Sequence, residues 1–426
     1  MPHSLSRRLS AADAVVLGLA AMLGTGVFVV FAPAAAVAGQ WLLLSVVLAG
    51  VVAACNAAST ADLAVAHPES GGGYVYGRER LCPGAGRLAG VAFLIGKISS
   101  AAAAAGVVGS YVLPAHPRVT AVIVIIAATA LNIAGVRATA RSAWLLVGGT
   151  LAVLLVVVLV GFFGPGTTAA WSAAAAGPAP APRSAGGALG VLTAAGLIFF
   201  AFAGYARIAT LGEEVRDPDR SLRRAIAIAL GLTLVVYLLV AGALLVGLGA
   251  ERLATERSPL VALVDTSEAP ALGVLVRIGA AVAAGSALLS VLVGVSRTAL
   301  AMARRRELPA ALSAIGPRRT PWRADLAGGA LAIVVALLAG PIAAIALSAC
   351  SVLVYYAVIN LSALRLPARQ RRWPPWMSVL GLVGCLGLAV LLPLQSVLIT
   401  AGALVVGWLA VTVLGWWGTI RSRPAG

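Results

Sequence analysis

The sequence predicts an all-α bundle of about twelve helices that cross a membrane, and three observations carry that prediction. The 426 residues are 61% hydrophobic and only 11% charged, against about 25% charged in an ordinary soluble domain. Apolar runs of about 20 residues, the length of a helix across about 30 Å of hydrocarbon, recur from one end of the chain to the other. The charges fall between those runs, so the net charge of +17 follows the loops and does not describe a nucleic-acid surface.

Punctuation by Gly, Pro and Arg divides the apolar runs into spans at residues 11–38, 41–62, 87–112, 119–136, 143–163, 188–211, 225–249, 271–302, 325–340, 342–364, 376–393 and 395–418. The first follows Arg7 and Arg8 and ends near Ala36-Val37-Ala38, which resembles a cleavage site. It is too long for the h-region of a signal peptide, about 7–15 residues, and reads as a span. Only Gly340-Pro341 divides the ninth from the tenth. The segment 164–187, rich in Ala, Pro and Gly, reads as a loop outside the membrane.

Loop charges set the orientation. With the N-terminus inside, twenty-five arginines lie on the cytoplasmic side and four outside, Arg118, Arg183, Arg252 and Arg257. Both termini are therefore expected in the cytoplasm. The four cysteines, Cys55, Cys82, Cys350 and Cys385, have no metal-like spacing and read as small packing residues. Asp13 and Asp62 lie at span ends, where boundary carboxylates belong, and Asp13 can also cap the first helix. His3, His67 and His116 have no convergent partners in the sequence.

Two spans are interrupted. The first holds Gly24-Thr25-Gly26-Val27-Phe28 and the sixth Phe202-Ala203-Gly204-Tyr205. Either glycine cluster alone reads equally as close helix packing. The positions add meaning: spans one and six each open a set of five, and an odd number forces the second set to cross in the opposite sense. Matching interrupted spans in two inverted halves point to the central site of a transporter. The outer half of span one would begin near Gly26 and Val27 with unpaired amides, which suit a carboxylate. The first half of span six would end near Phe202 and Ala203 with free carbonyls, which suit an ammonium. An α-amino acid carries both groups.

At these residues the sequence resembles the amino acid-polyamine-organocation transporter superfamily. His67-Pro68-Glu69-Ser70-Gly71-Gly72-Gly73-Tyr74-Val75-Tyr76 is similar to the family's P-E-S-G-G-x-Y-x-Y stretch. Gly212-Glu213-Glu214-Val215-Arg216-Asp217-Pro218, followed by Arg224-Ala225-Ile226, is similar to its G-x-E-E-x-x-x-P and R-A-I, with Arg223 where the family has Pro. Ser296-Arg297 and Met302-Ala303-Arg304 resemble the end of its eighth helix. Spans nine to twelve match in length and placement alone.

The resemblance implies a five-plus-five inverted repeat, with residues 1–163 and 188–364 as the two halves, the loop 164–187 between them, and 365–426 as two further spans and a tail. It implies that, around Gly24 and Gly204, the backbone amides of Thr25, Gly26 and Val27 hold the carboxylate and the carbonyls of Phe199, Phe202 and Ala203 hold the amine, with Phe200 covering the substrate; Phe200 reads equally as a lipid-facing or packing residue. It likewise gives Ser286 and Ser290 as cation-holding hydroxyls, which read equally as serines bonded to their own helix. Glu213 and Glu214 read as a cytoplasmic gate or as solvated surface pairs worth about 0–1 kcal/mol.

Lys97 is the only lysine and lies far from either end of its span. Ten residues after Arg87, it stands about 15 Å along the helix axis, where a charge costs about 2.5–3.5 kcal/mol. A proton carrier, a fixed cation in place of sodium, and a side chain snorkelling to the interface are its three readings, of which proton coupling without sodium is preferred.

The sequence is thus expected to encode a secondary transporter, with an amino acid, the bilayer and protons as partners and with no cofactor, metal or nucleic acid. A neutral substrate is expected, because the nameable pocket positions, Ala206 among them, supply no acid. An exchanger or exporter and a polyamine permease are the alternatives within that class. A membrane-embedded enzyme would need a His, Asp or Cys cluster near one face, which the sequence lacks; a channel would lack solute-coupled countertransport.

Overall fold

A computed structural model describes residues 10–67, 71–135, 140–164, 187–209, 218–267 and 269–420. Among these, α-helices and short 3-10 turns form the architecture and no strand occurs. The helices are α1 (Ala11–Met22), α2 (Gly26–Val29), α3 (Phe31–Ala38), α4 (Leu42–Ala66), α5 (Gly73–Arg80), α6 (Pro83–Val112), α7 (Pro117–Ile133), α8 (Ala140–Phe163), α9 (Gly187–Phe202), α10 (Ala206–Ala209), α11 (Pro218–Thr255), α12 (Pro259–Val264), α13 (Pro270–Arg304), α14 (Trp322–Leu338), α15 (Pro341–Leu364), α16 (Pro375–Leu391) and α17 (Leu394–Ile420).

Each of the twelve apolar runs corresponds to a helix or a broken helix. Nine stretches of described residues are long and apolar enough to cross a membrane, and α7 and α16 are shorter apolar helices. The division at Gly340-Pro341 is real: α14 ends at Leu338, and Gly340 caps α15. The seventh run is longer than its apolar core suggests, since α11 begins at Pro218 and continues to Thr255, with a non-helical Gly249 at φ 76°. Two short helices, α5 and α12, carry too few apolar residues to register as spans.

Local chemistry accounts for the boundaries. Ser10 and Asp13 form a reciprocal capping box at the start of α1, which satisfies amides that the helix itself cannot. Seven helices, α6, α7, α11, α12, α13, α15 and α16, start on proline, whose fixed φ and missing N–H suit the first turn. Before α5, Gly71 and Gly72 adopt φ 144° and 53°, a turn that side-chain-bearing residues rarely make.

α6 is the central packing element and meets α15 and α13 most extensively. Its buried run Ala101–Ala105 and Gly106 lets neighbours approach closely, as membrane interfaces require. The outer faces of α8, α16 and α17 expose Leu145, Val390, Val406 and Trp416, the side chains that lipid would cover.

Candidate functional site

The first and sixth spans break beside one another. α1 stops at Met22, the chain is non-helical through Leu23–Thr25, and helix resumes at Gly26 without a side-chain cap. The first amides of a helix have no intrahelical acceptor, so Thr25, Gly26 and Val27 carry the backbone donors of this break. Val27 and Phe28 are themselves helical, so the unwound stretch is shorter than the five-residue motif. The sixth span does not unwind: α9 ends at Phe202, tightens into a 3-10 turn at Ala203–Tyr205, and continues as α10.

Glycines set how near the two breaks come. A Cβ on Gly26 would stand 2.3 Å from the Cβ and 2.6 Å from the Cα of Ala201, and one on Gly204 would stand 2.5 Å from the carbonyl carbon of Ala21. Each glycine thus admits the other helix's backbone. Gly24 does the same toward α13, where an added Cβ would lie 2.6 Å from that of Ala287.

Three buried tyrosines hold the breaks. The Tyr237 hydroxyl on α11 lies 2.5 Å from the Met22 carbonyl and 3.0 Å from that of Ala201, bridging the two interrupted helices. Tyr356 on α15 donates to the Ala203 carbonyl at 3.3 Å and meets the rings of Phe199 and Tyr205. Tyr111 donates to the Phe28 carbonyl at 2.8 Å and packs edge-on against the Phe28 ring. Arg277 in turn donates to the Tyr111 carbonyl at 3.1 Å.

A cavity of about 120 Å³ opens between the breaks, room for on the order of ten waters or one small solute. Thr25, Gly26, Phe200, Ala203 and Gly204 line it together with Lys97 and Ser290. It extends toward Gly71, Gly72, Tyr76 and Arg207, the end at which the sequence places the cytoplasm. Buried Val27, Phe28 and Tyr111 occupy the other side of the break. Among the described lining residues there are two cations, Lys97 and Arg207, and no carboxylate. The Lys97 ammonium lies 5.8 Å from the centre of the Phe93 ring, a cation–π separation.

The expected site residues divide accordingly. Thr25, Gly26, Phe200, Ala203, Gly204, Lys97 and Ser290 are brought together around the cavity. Gly24, Val27, Phe199 and Phe202 are not in its lining: Gly24 meets α13, and the other three are fully buried in packing. Ser286 is also outside the lining and donates to the Ala283 carbonyl of its own helix at 2.9 Å. Glu213 and Glu214 lie outside the described residues.

An ionic cluster that the sequence did not suggest sits near the same end. Glu307, 2% exposed, accepts from Arg78 at 2.8 Å, from Arg87 at 3.2 Å and from the Tyr74 hydroxyl at 2.6 Å. Burial, and then the Glu307 carboxylate, push the Tyr74 hydroxyl above its ordinary range, so it stays protonated as the donor. The cluster ties α5 and α6 to the loop after α13. Close by, the Tyr355 hydroxyl accepts from the Gly73 amide at 3.0 Å, docking α5 on α15. His67, which lacked partners in the sequence, accepts from Arg80 at 2.7 Å.

Asp62 is deeper than a boundary carboxylate. It is buried, accepts from the amides of Arg372 and Trp373 at 3.0 and 3.2 Å, and pairs with Arg223 at 3.4 Å. Arg223, in the place of the family's proline, thus joins the start of α11 to the end of α4.

Comparison with known proteins agrees with this architecture. The family described as amino acid permease matches residues 9–418. An uncharacterized transporter of Mycobacterium tuberculosis is 49% identical, over 96% of this chain and 90% of its own. The branched-chain amino acid permease BcaP of Bacillus subtilis is 25% identical, over 97% of this chain and 92% of its own. Cationic amino acid transporter 4, vacuolar, of Arabidopsis thaliana is 28% identical, over 79% of this chain and 59% of its own. With a match that runs almost from end to end, the chain belongs to the amino acid permease family, a family of membrane transporters and not of enzymes.

Proposed function

We propose that the protein is a secondary transporter that carries a neutral amino acid across the cell membrane by alternating access, coupled to protons and independent of sodium. The observation that carries this reading is the cavity at the paired breaks. Thr25 and Gly26, at a helix start, and Ala203 and Gly204, at the turn of the sixth span, are among its lining residues, and a helix start suits an α-carboxylate beside a turn that suits an α-amine. Phe200 lies in the wall where a lid would stand.

The substrate class follows from charge. Lys97 lines the cavity, and the described lining residues include no carboxylate, so a cationic side chain would meet repulsion in a medium that screens it poorly. This favours the chemistry in the name of the branched-chain permease over that in the name of the cationic transporter. The cavity extends toward Gly71, Gly72 and Arg207, and the buried Phe28–Tyr111 contact lies on the other side of the break. With both termini cytoplasmic, a cavity on that side corresponds to an inward-facing state in this reading, and the two halves 1–163 and 188–364 would rock about the breaks to expose the other side.

Lys97 is the coupling residue in this reading, since its amine reaches the cavity that the substrate occupies. In sodium-free proteoliposomes preloaded with unlabelled neutral amino acid, labelled neutral amino acids should accumulate by counterflow, while labelled arginine and lysine should not. Lys97→Gln should bind substrate yet lose the pH dependence of uptake. A strict sodium requirement, or an unchanged pH profile in Lys97→Gln, would reject proton coupling; preferential transport of arginine would reject the substrate class.

A further inference from the structure

A second hollow lies away from the central cavity, at the arginine-rich end of the bundle. Val65 and Ala66 at the end of α4, Arg223 at the start of α11, and Arg369, Gln370, Arg371 and Arg372 from the α15–α16 connection line it. Four arginines line it. The one described carboxylate among their partners, Asp62, pairs with Arg223 and is itself buried beneath the backbone of Arg372 and Trp373. Among the described residues the hollow therefore keeps a positive excess.

The donors are only partly used. Arg371 spends one terminal nitrogen on the carbonyls of Leu364 and Leu366, at 3.1 and 2.8 Å, closing the end of α15. Its Nε, and the Nε of Arg223, are buried without an acceptor among the described residues. A buried donor left unmatched costs about 1–3 kcal/mol, a cost that a bound anion would remove. Gln370 is fixed from behind, its side-chain oxygen accepting from Arg80 at 3.0 Å.

Position selects the ligand. Trp373 and Trp376, 38% and 60% exposed, follow immediately in the chain, and exposed tryptophans beside a membrane helix sit at the headgroup level. A basic pocket between helices at that depth suits a lipid phosphate, and planar guanidinium groups bind phosphate oxygens in pairs.

We propose that this hollow binds the phosphate headgroup of an anionic phospholipid from the adjacent leaflet. The occupant would join three elements, α4, α11 and the α15–α16 connection, and α11 also carries Tyr237, the bridge between the broken helices.

Arg369 and Arg372 suit the test because both are exposed and neither side chain has a bonding role in the fold described above. Native mass spectrometry of the full chain, titrated with phosphatidylglycerol or phosphatidylcholine, should show a specific preference for phosphatidylglycerol. In the double variant Arg369→Gln/Arg372→Gln that preference should fall roughly 10- to 30-fold, the effect of removing two arginines from a headgroup, with amino acid binding unchanged. A parallel titration with inorganic phosphate separates the sources: millimolar phosphate should leave lipid binding intact. No preference in the wild type, a preference that survives in the double variant, or displacement of the lipid by inorganic phosphate would each overturn the assignment. Amino acid binding is read separately, so failure of the lipid site leaves the transport reading untouched.

Discussion

The two interrupted helices look alike in sequence and differ in structure. The first unwinds through Leu23–Thr25 and restarts, whereas the sixth tightens into a 3-10 turn at Ala203–Tyr205 and goes on. Tyrosines engage carbonyls at both breaks, Met22 and Phe28 at the first and Ala201 and Ala203 at the sixth, but only the first also restarts a helix without a side-chain cap. A glycine pair therefore has two uses that the sequence cannot separate: it opens backbone to a ligand, and it lets two backbones touch. Gly26 serves the second use against Ala201 and Gly204 against Ala21, and the cavity lies beside those contacts.

The largest effect that would break this comparison is expected from bulk at the crossing. Gly26→Leu should abolish transport while the protein still inserts, since even a Cβ would stand 2.3 Å from Ala201, and overpacking of this kind costs about 1–3 kcal/mol. Gly204→Val should act alike, whereas Gly387→Ala, with open space around its Cβ, should be silent. Proteoliposome uptake and gel-filtration profiles of the three variants decide the matter; normal uptake by well-folded Gly26→Leu would remove the crossing from the account.

Next comes the wall of the cavity. Phe200→Ala should weaken substrate binding by roughly 10- to 100-fold, taking about 1.5–3 kcal/mol for a buried Phe side chain, while Phe200→Trp should be better tolerated. Equal affinities for both variants and the wild type, by calorimetry, would reduce Phe200 to packing.

A smaller difference is expected between the tyrosines. Tyr237→Phe strands carbonyls on both broken helices and should cost about 1–3 kcal/mol, visible as a lower melting temperature and slower turnover. Tyr356→Phe, whose bond to Ala203 is longer, should cost less. The reverse order would show that the sixth break depends on α15 more than on the α11 bridge.

The smallest effect on transport is expected from Glu307. Glu307→Gln should lower stability by about 1–2 kcal/mol, because Arg78 and Arg87 are partly exposed, and leave substrate affinity unchanged. Thermal melting with and without substrate measures both.

Much of this was legible from residue order. Twelve helices follow from the length of the apolar runs and from Gly340-Pro341, and Thr25, Gly26, Ala203 and Gly204 follow from the two glycine clusters. Legibility failed where the partner is distant in sequence. Glu307 follows three arginines in the chain, yet its partners Tyr74, Arg78 and Arg87 arrive from more than two hundred residues earlier. Tyr237 does leave a signal, as the one tyrosine of a span whose other polar side chain is Thr233, where polar groups mark functional positions. Val27, Phe199 and Phe202 are expected to offer backbone amides and carbonyls, and the burial of their side chains follows from helix rotation, which residue order does not encode.

The central claim, that the paired breaks form one amino acid site, is tested most directly by a cryo-EM map of the protein with a neutral amino acid bound. The account predicts density in the cavity, with the carboxylate at the amides of Thr25 and Gly26, the amine at the Ala203–Gly204 turn, and the Phe200 ring against the side chain. Substrate density that lies elsewhere in the bundle, or that contacts only one of the two breaks, would contradict it.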